Sequence, residues 1–380
     1  MSNPNVIFFN GRLLPASETF IRAQGEELKK YTPYYVGAHS VPGLPLPEER
    51  TLLVNRGGIF GAGEESIFKL WGLAPRLSSQ LRKLNPALIH AHFGICGALA
   101  LPLARFLQLP LIVTFYGIDI TMKDELAHKA SLSHRLYFQR LEALKRETCL
   151  FIAISKFIRN QLLAKGFPEE KIIVHPIGVD TLTFQPNPDL PREPVVLFVG
   201  RLVEKKGCEY LIEAMHKVQA IMPEVELVII GDGPLRYSLE RKAISLPGKY
   251  RFLGVQPPPV VRNWMNRAKV FCVPSVIAKS GDAEGLGVVF GEAQVMGLPV
   301  VSSNSGGIPE IVAHGQTGFL APEKDGESLA QYILQLLQDP ALWQRFSKTG
   351  KDRVHRLFDQ RQLSQTLGNI YHELLQEIKK

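Results

Sequence analysis

Short apolar segments alternate with helical segments along this chain, and this alternation constrains the fold more than any other feature. Helical stretches such as Ile67–Leu84 and Gly97–Leu107 separate the strand-like segments, which are Val6–Phe9, Tyr34–Gly37, Ala87–Ala91, Leu111–Phe115, Leu150–Ile154, Val195–Gly200, Val225–Gly231 and Val270–Pro274. The alternation predicts an α/β fold with doubly wound parallel sheets that helices cover on both faces. At 380 residues the chain is long for one hydrophobic core and sufficient for two.

A proline-rich segment, Gln185–Pro191, indicates where the two domains are joined. Its three prolines stiffen the chain at this point. We therefore expect an N-terminal domain over residues 1–184, a second domain over residues 185–357 and a C-terminal helix over residues 358–380. That helix carries an apolar stripe that fits a docked helix, formed by Leu363, Leu367, Ile370, Tyr371, Leu374 and Ile378.

Two glutamates flank a glycine-rich turn in the second half of the chain, in the order Glu284-Gly285-Leu286-Gly287-Val288-Val289-Phe290-Gly291-Glu292. A helix that begins near Gly287 would offer free backbone N–H groups to an anion such as a phosphate. Carboxylates only accept hydrogen bonds, so the two glutamates are suited to hold pairs of sugar hydroxyls on either side of that anion. The alternative interpretation is a loop carboxylate and a solvated helix residue.

A second candidate phosphate site follows the strand Val195–Gly200. The loop Arg201–Gly207 is basic and leads into a helix, and arginine and lysine side chains in such a loop are suited to bind phosphate oxygens. The next strand ends in Gly231-Asp232-Gly233, which lacks the third glycine of a dinucleotide fingerprint. This pattern therefore argues against a nicotinamide site.

Polar residues also follow the strands of the N-terminal half, where a doubly wound sheet would place a ligand. The loop after Val6–Phe9 contains Ser17 and Glu18. Ser17 is suited to be a helix N-cap or, together with Glu18, to contact a ligand. His90 and His92 end one strand, and we expect them on opposite faces, with His92 toward the ligand. Tyr116 and Asp119 end the next strand and are further candidates for ligand contact.

Charge and composition narrow the class of protein. The net charge of +8 and the pI near 9.2 are compatible with nucleic acid, an anionic membrane surface or anionic small ligands. The basic residues within Lys123–Lys165 are interspersed with acids and lack the aromatic side chains on which single-stranded nucleic acid stacks. They are best interpreted as a solvated helix face. Contact with anionic lipid is the second interpretation, and nucleic-acid binding is the weakest. The four cysteines show no C-x-x-C spacing and indicate a reducing compartment. The apolar N-terminal segment is too short for a signal peptide, and prolines interrupt the apolar segment Gly97–Phe115, which argues against a spanning helix. We therefore expect a cytoplasmic protein.

The motifs of residues 273–320 resemble the signature of the retaining glycosyltransferases of family 4, which have the GT-B fold of two Rossmann-like domains facing a cleft. The resemblance rests on the two glutamates at E-x7-E spacing, the strand Gly297–Val301, the loop Gly306–Glu310 and the segment Gly315–Leu320. Gly281–Gly285 and Ser17–Ile21 are similar to the colanic acid and amylovoran type of bacterial exopolysaccharide glycosyltransferase.

The resemblance implies a hexosyltransferase that uses a UDP- or GDP-linked sugar and a glycan or lipid-linked saccharide acceptor and needs no metal. Peripheral contact with the inner face of a membrane stays an alternative that rests on the basic residues alone. Within the resemblance Arg201 and Lys206 match the family's diphosphate-binding pair, whereas Lys205 is expected to be solvated. The expected catalytic residues are Glu284, Arg201, Lys206, His92, Tyr116 and Asp119, and the expected acceptor contacts are Ser17 and Glu18. The expected donor-binding residues are Glu292, Gly285, Leu286, Gly287, Val288, Val289, Gly233 and Val255. In this family the last helix returns to the first domain. Tyr116 stands where the family frequently has His, which leaves a nucleotide-sugar-binding protein without turnover as the alternative.

Overall fold

The computed structural model describes residues 3–15 and 18–379, so the prediction for Ser17 lies outside the described residues. The chain divides into two compact units, and the boundaries lie between residues 178 and 179 and between residues 359 and 360. The sequence predicts these boundaries a few residues away, at 184/185 and 357/358. The first unit combines residues 1–178 with residues 360–380, and the second is the continuous segment Val179–Asp359.

The first unit alternates strands and helices, as the sequence predicts. Its strands are β1 Asn5–Leu13, β2 Thr32–Ser40, β3 Thr51–Leu53, β4 Ile89–His92, β5 Leu111–Phe115, β6 Leu150–Ala153 and β7 Ile172–Val174. Its helices are α1 Thr19–Glu26, α2 Gly58–Trp71, α3 Pro75–Leu84, α4 Gly94–Leu107, α5 Ile118–Thr121, α6 Asp124–Ala130, α7 Leu132–Glu147 and α8 Lys156–Ala164.

The second unit follows the same plan. Its strands are β8 Val195–Val199, β9 Glu226–Ile230, β10 Tyr250–Phe252, β11 Val270–Val273, β12 Val300–Ser303 and β13 Gly318–Ala321. Its helices are α9 Cys208–Ile221, α10 Arg236–Ala243, α11 Pro258–Arg267, α12 Val288–Val295, α13 Ile308–Ile311, α14 Gly326–Gln338 and α15 Pro340–Leu357, and the chain then returns to the first unit as α16 Gln360–Ile378.

Each unit contains one parallel sheet whose strand order reverses once. The order is β3-β2-β1-β4-β5-β6-β7 in the first unit and β10-β9-β8-β11-β12-β13 in the second. The reversal lies between β1 and β4 in the first sheet and between β8 and β11 in the second. Ligands of doubly wound sheets bind at this reversal, outside the carboxyl ends of the strands. The loops that follow β8 and β11 are therefore placed to form a ligand site.

Helix α16 completes the core of the first unit. Leu367 and Tyr371 of this helix are fully buried in the cluster that contains Phe8 of β1 and Tyr35 of β2. The rings of Tyr31 and Tyr371 meet edge to face with centroids 5.5 Å apart. Leu374 also packs against this cluster, so three of the six residues in the expected apolar stripe are used for packing, whereas Ile378 at the end of the helix is exposed.

Three expectations from the sequence need correction. Strand β1 does not end at Phe9 but continues to Leu13, because its pairing with the long strand β2 extends to Ser40. The helix expected over Ile67–Leu84 is two helices, since Gly72 ends α2 with a left-handed backbone (φ 71°) and Pro75 begins α3. The sequence analysis also missed the edge strands β3 and β7, which are only three residues long.

All four cysteines are free thiols, and all but the half-buried Cys149 are buried, as the sequence indicates. Among the residues that the structure describes, no helix combines the length and the apolar character needed to cross a bilayer.

Candidate functional site

The loops after β8 and β11 bring a lysine and a glutamate together at the strand reversal of the second unit. Lys206 lies in a single helical turn, Glu204–Lys206, immediately before α9, and Glu284 lies in the loop before α12. The Nζ atom of Lys206 donates a hydrogen bond to Oε2 of Glu284 over 2.6 Å, and each side chain is 13% exposed. This pair joins two residues that the sequence analysis had selected separately.

The Glu284 carboxylate is kept ionised by its neighbours. Burial alone would raise its pKa, but the charges of Lys206, Lys205 and Arg201 and the hydrogen bond from Lys206 lower the pKa below its usual value. Arg201 is exposed, so its guanidinium is accessible to a ligand while its charge still acts on Glu284.

A glycine immediately precedes helix α12, whose first backbone amides have no partner within the helix. Gly287 is the N-cap residue and has a left-handed backbone with φ 81°. The amides of Val288 and Val289 lie in the first turn, where helical N–H groups have no partner within the helix. The helix begins where the sequence predicts, and its dipole adds positive potential at this end.

A second glycine holds the backbone of Glu284 in place. Gly306 has φ 56°, and a Cβ atom at this position would overlap the carbonyl oxygen of Glu284. The next amide, that of Gly307, donates a hydrogen bond to that carbonyl oxygen over 2.8 Å. The conformation of the Glu284 loop therefore depends on the glycine pair that follows β12.

Lys205 is not solvated, which corrects the expectation from its place in an exposed loop. Its Nζ atom lies 2.9 Å from Oδ1 of Asp282, and the two side chains are only 11% and 12% exposed. The site thus contains two neighbouring ion pairs of similar burial, Lys206 with Glu284 and Lys205 with Asp282. Sequence patterns gave no signal for the second pair.

Glu292 lies in the second turn of α12 and is half-buried. Burial raises its pKa to about 7, and the negative charge of Asp180 adds to the effect. Such a carboxyl group would lose its proton readily when hydroxyl groups donate hydrogen bonds to it.

The remaining predicted donor contacts lie along the same edge of the second sheet. Gly233 follows β9, and Val255 follows β10 with 77% of its surface exposed. Gly285 and Leu286 lie between Glu284 and α12, and the side chain of Leu286 is buried. Leu286 can therefore contact a ligand only through its backbone.

In the first unit, the structure corrects the expected orientation of the two histidines. His90 and His92 lie on the same face of β4, with ring centroids 4.4 Å apart, because residues two apart in a strand point to the same side. His92 Nδ1 is hydrogen-bonded to the Tyr116 hydroxyl over 2.7 Å. Burial lowers the pKa of His92 well below its usual value, so its imidazole is neutral.

His90 belongs to a buried polar network that the sequence analysis missed. Its Nδ1 atom is 2.5 Å from the hydroxyl of Tyr371 on α16, and its Nε2 atom is 2.6 Å from Oγ1 of Thr114 on β5. Burial lowers the pKa of His90 to about 3, with a smaller contribution from His175. Tyr371 appeared in the sequence only as part of an apolar stripe, and nothing there indicated a partner for its hydroxyl.

Asp119 holds two loops together at the carboxyl ends of β4 and β5. Its carboxylate accepts hydrogen bonds from the amides of Gly94 (2.9 Å), Tyr116 (3.1 Å) and Gly117 (2.9 Å). It therefore fixes the backbone around Tyr116.

Glu18 is placed near the end of the first strand. Its Oε2 atom accepts a hydrogen bond from Asn10 over 2.6 Å, and burial raises its pKa to about 7.

Comparison with known proteins identifies the family. Residues 18–182 match the model of Glycosyltransferase Family 4, and residues 180–353 match that of Glycosyl transferases group 1. The amylovoran biosynthesis glycosyltransferase AmsK of Erwinia amylovora is 34% identical over 289 residues, which cover 74% of this chain and 69% of AmsK. The chain belongs to the family 4 glycosyltransferases.

Other relatives support the same family and fold. The putative colanic acid biosynthesis glycosyltransferase WcaL of Escherichia coli K12 is 32% identical over 295 residues, which cover 75% of this chain and 70% of WcaL. The solved structure of Anabaena Alr3699/HepE in complex with UDP and glucose superimposes with a TM-score of 0.76 at 19% identity, covering 98% of this chain and all of that one. The chain therefore has the GT-B glycosyltransferase fold, and the predicted exopolysaccharide type of family 4 enzyme is confirmed.

Proposed function

We propose that this family 4 glycosyltransferase transfers a hexosyl group, with retention of anomeric configuration, from a UDP- or GDP-linked sugar to a glycan or lipid-linked saccharide acceptor. The donor is bound by the second unit, and the first unit contributes the acceptor side. The observation that supports the proposal best is the buried Lys206–Glu284 pair at the start of α12. It combines a cation for a diphosphate with a carboxylate for a sugar.

In this proposal the charge of the leaving diphosphate is stabilised by Arg201, Lys206 and the amides of Val288 and Val289. As the bond between the anomeric carbon and the diphosphate oxygen breaks, the ionised Glu284 stabilises the positive charge on the sugar. The acceptor oxygen then bonds to the anomeric carbon on the same face, and its proton passes to the departing phosphate. Glu292 accepts hydrogen bonds from the ribose hydroxyls.

The pathway proposal rests on the relatives. The names of AmsK and WcaL refer to the synthesis of amylovoran and colanic acid. We therefore propose a role in exopolysaccharide or cell-envelope glycan synthesis. The relatives include a GDP-mannose-dependent enzyme of Mycolicibacterium smegmatis, and HepE was solved with UDP, so both nucleotides belong in a donor screen.

A panel of UDP- and GDP-sugars tests this function in two steps. A donor at about a hundred times its dissociation constant should stabilise the protein by roughly 2.7 kcal/mol, which a thermal shift detects. Addition of acceptor to the stabilising donor should then release free nucleoside diphosphate. Stabilisation without release under any acceptor condition would favour a binding protein without turnover, an alternative that the Tyr116 substitution motivates.

Arg201→Ala is expected to weaken donor binding by about 1.5–3 kcal/mol, because it removes a charged hydrogen bond to the diphosphate. Lys206→Ala should weaken it similarly, although it also leaves Glu284 without its partner. Isothermal titration with the free nucleoside diphosphate measures both effects. Lys217→Ala, which changes a half-exposed lysine on α9, is the control and should bind normally. Normal affinity in both site variants would contradict the phosphate assignment.

Turnover is expected to survive a strong chelator, because the proposal assigns the leaving-group charge to Arg201, Lys206 and the start of α12. The rate of nucleoside diphosphate release should be the same with and without the chelator. A loss of turnover that magnesium or manganese restores would show that a metal performs this task instead.

A further inference from the structure

Asn10 lies where the first sheet opens. Strand β1 pairs with β4 only from Ile7 to Phe9, and it then continues beside β2 to Leu13. Asn10 is therefore the first residue of β1 beyond the reversal of strand order, where doubly wound sheets bind their ligands. Its side chain is only 4% exposed, so its polar atoms need partners within the protein.

Cys96 of α4 determines the orientation of the Asn10 amide group. Its sulfur lies 3.3 Å from Oδ1 of Asn10 and accepts a hydrogen bond from the amide of Gly11 over 3.1 Å. Burial raises the pKa of Cys96 to about 12, so the thiol keeps its proton and donates a hydrogen bond to Oδ1. The Nδ2 group of Asn10 must then point away from the thiol.

Glu18 is the partner of that Nδ2 group. Its Oε2 atom accepts the hydrogen bond from Asn10 over 2.6 Å, whereas its second oxygen, Oε1, accepts none from any residue that the structure describes. Glu18 is half-buried, and Oε1 remains accessible. A reversed Asn10 amide would place an oxygen against the carboxylate. The hydrogen bond from Cys96 therefore helps to hold Glu18 in place.

Glu18 lies beside the residues assigned to the acceptor side. Phe20, two residues further on, contacts Tyr116 with ring centroids 5.0 Å apart. Burial raises the pKa of Tyr116 well above its usual value, and the charges of Asp119 and Glu18 add to this effect. The Tyr116 hydroxyl is itself bound to His92. The free Oε1 atom of Glu18 is thus a hydrogen-bond acceptor at the edge of this group.

We propose that Asn10, oriented by Cys96, is a positioning residue that holds Glu18 so that Oε1 accepts a hydrogen bond from a non-reacting hydroxyl group of the sugar acceptor. The inference rests on the proposed function, in which the first unit contributes the acceptor side and the proton of the reacting hydroxyl leaves with the phosphate. A carboxylate only accepts hydrogen bonds, so the ligand must present a donor at this point. A sugar hydroxyl meets this requirement, whereas an anionic substituent would be repelled.

Acceptor affinity should depend on pH through Glu18, because its ionised form accepts the hydroxyl. Burial raises the pKa of Glu18 to about 7, while the hydrogen bond from Asn10 and the charge of Arg12 lower it. Affinity should therefore be full above pH 7 and fall below it. The neighbouring groups do not titrate in this range, since Arg12 stays charged and burial keeps the protons on Cys96 and Tyr116. Without the bond from Asn10, the fall should begin at a higher pH.

Saturation-transfer NMR with the methyl α-hexopyranosides of glucose, galactose and mannose tests the ligand contact, on the full chain with nucleoside diphosphate present. At least one glycoside should bind, and Glu18→Gln should raise its dissociation constant about tenfold, because a charged hydrogen bond is lost. Glu27→Gln, which changes the residue just after α1, is the control and should bind normally. Binding that does not depend on Glu18, or no binding of any of these glycosides, would overturn the proposal.

Variants of Asn10 and Cys96 test the positioning role. Asn10→Leu should weaken glycoside binding several-fold at pH 7 and move the midpoint of its pH profile upward, which loosened packing alone would not do. Cys96→Ala should act in the same direction, whereas Cys96→Ser keeps a hydrogen-bond donor and should bind normally. An unmoved midpoint in Asn10→Leu, or equal effects of the two Cys96 variants, would overturn this role, and the Cys96 pair decides if Asn10→Leu does not fold.

The donor site provides an independent readout. Binding of the nucleoside diphosphate, followed by thermal shift, should be the same in all of these variants. No stabilisation of the unchanged chain by any nucleotide or nucleotide sugar would contradict the proposed function. Normal stabilisation together with glycoside binding that ignores Glu18 would contradict only the role of Asn10 and Glu18.

Discussion

Glu284→Gln is expected to lower the turnover number roughly a hundredfold with an intact nucleotide-sugar donor, while the affinity for the free nucleoside diphosphate is retained. The substitution keeps the shape of the side chain and removes the charge that faces the developing sugar cation. An interaction that strengthens in the transition state affects turnover rather than ground-state binding. Lys206 also loses its partner in this variant and remains free to contact the diphosphate.

Asp282→Asn is the matched control for this experiment. It removes a carboxylate of nearly the same burial from the neighbouring ion pair with Lys205, but not the group assigned to the sugar. We expect it to retain turnover within a few-fold, measured well below the unfolding temperature of each variant. An equal loss in Asp282→Asn and Glu284→Gln would indicate that both carboxylates only support the loop.

Glu292→Gln should behave in the opposite way, because Glu292 is assigned to the ribose. It should weaken the free nucleoside diphosphate and the intact donor alike. The pKa of Glu292 is about 7, and hydroxyl donors favour the ionised form, so donor affinity should be full above pH 7 and should fall below it. Glu292→Gln should remove this pH dependence. If Glu284→Gln weakened the free nucleotide as strongly, our placement of the donor along this loop would be wrong.

Tyr371→Ala is expected to destabilise the first unit by about 3–5 kcal/mol, because it removes a fully buried aromatic ring. Tyr371→Phe should cost about 1–3 kcal/mol, since the ring stays but His90 Nδ1 loses its partner. Urea unfolding with hydrogen exchange of the β4 and β5 amides measures the first unit separately from the second.

The control for this series lies next along the same helix. His372 is exposed, and His372→Ala should change stability by no more than about 0.5 kcal/mol. A similarly small effect of Tyr371→Ala would mean that α16 contributes little to the core of the first unit.

Most of the fold could be predicted because parallel strands and helices have different and regular apolar periods. The meeting of the loops after β8 and β11 could also be predicted, since such loops lie together where the strand order reverses. The donor-binding role of their residues stays a prediction. Which side chains form ion pairs within the site could not be predicted. The buried pair of Lys205 with Asp282 is an example. Side-chain partners depend on loop conformation, and here glycines such as Gly306 determine it.

Helix α2 shows a second limit of sequence patterns. Periodicity identifies which residues share a side of a helix, but it does not tell whether that side faces the core or the solvent. On α2 the structure buries Phe68 together with the polar Glu65 and exposes Phe60 and Trp71. The expectation that His90 and His92 lie on opposite faces of β4 was wrong for a different reason. Residues two apart in a strand point to the same face.

The discontinuous composition of the first unit has a consequence for biosynthesis. A ribosome delivers residues 1–178 first, but Tyr371 and Leu367 fill the core of that unit only after the whole of Val179–Asp359 has been made. The second unit is continuous in sequence and can fold as soon as it leaves the exit tunnel. The nascent first unit must therefore wait with part of its apolar interior uncovered, which makes it the half of the chain that most needs chaperone protection during translation.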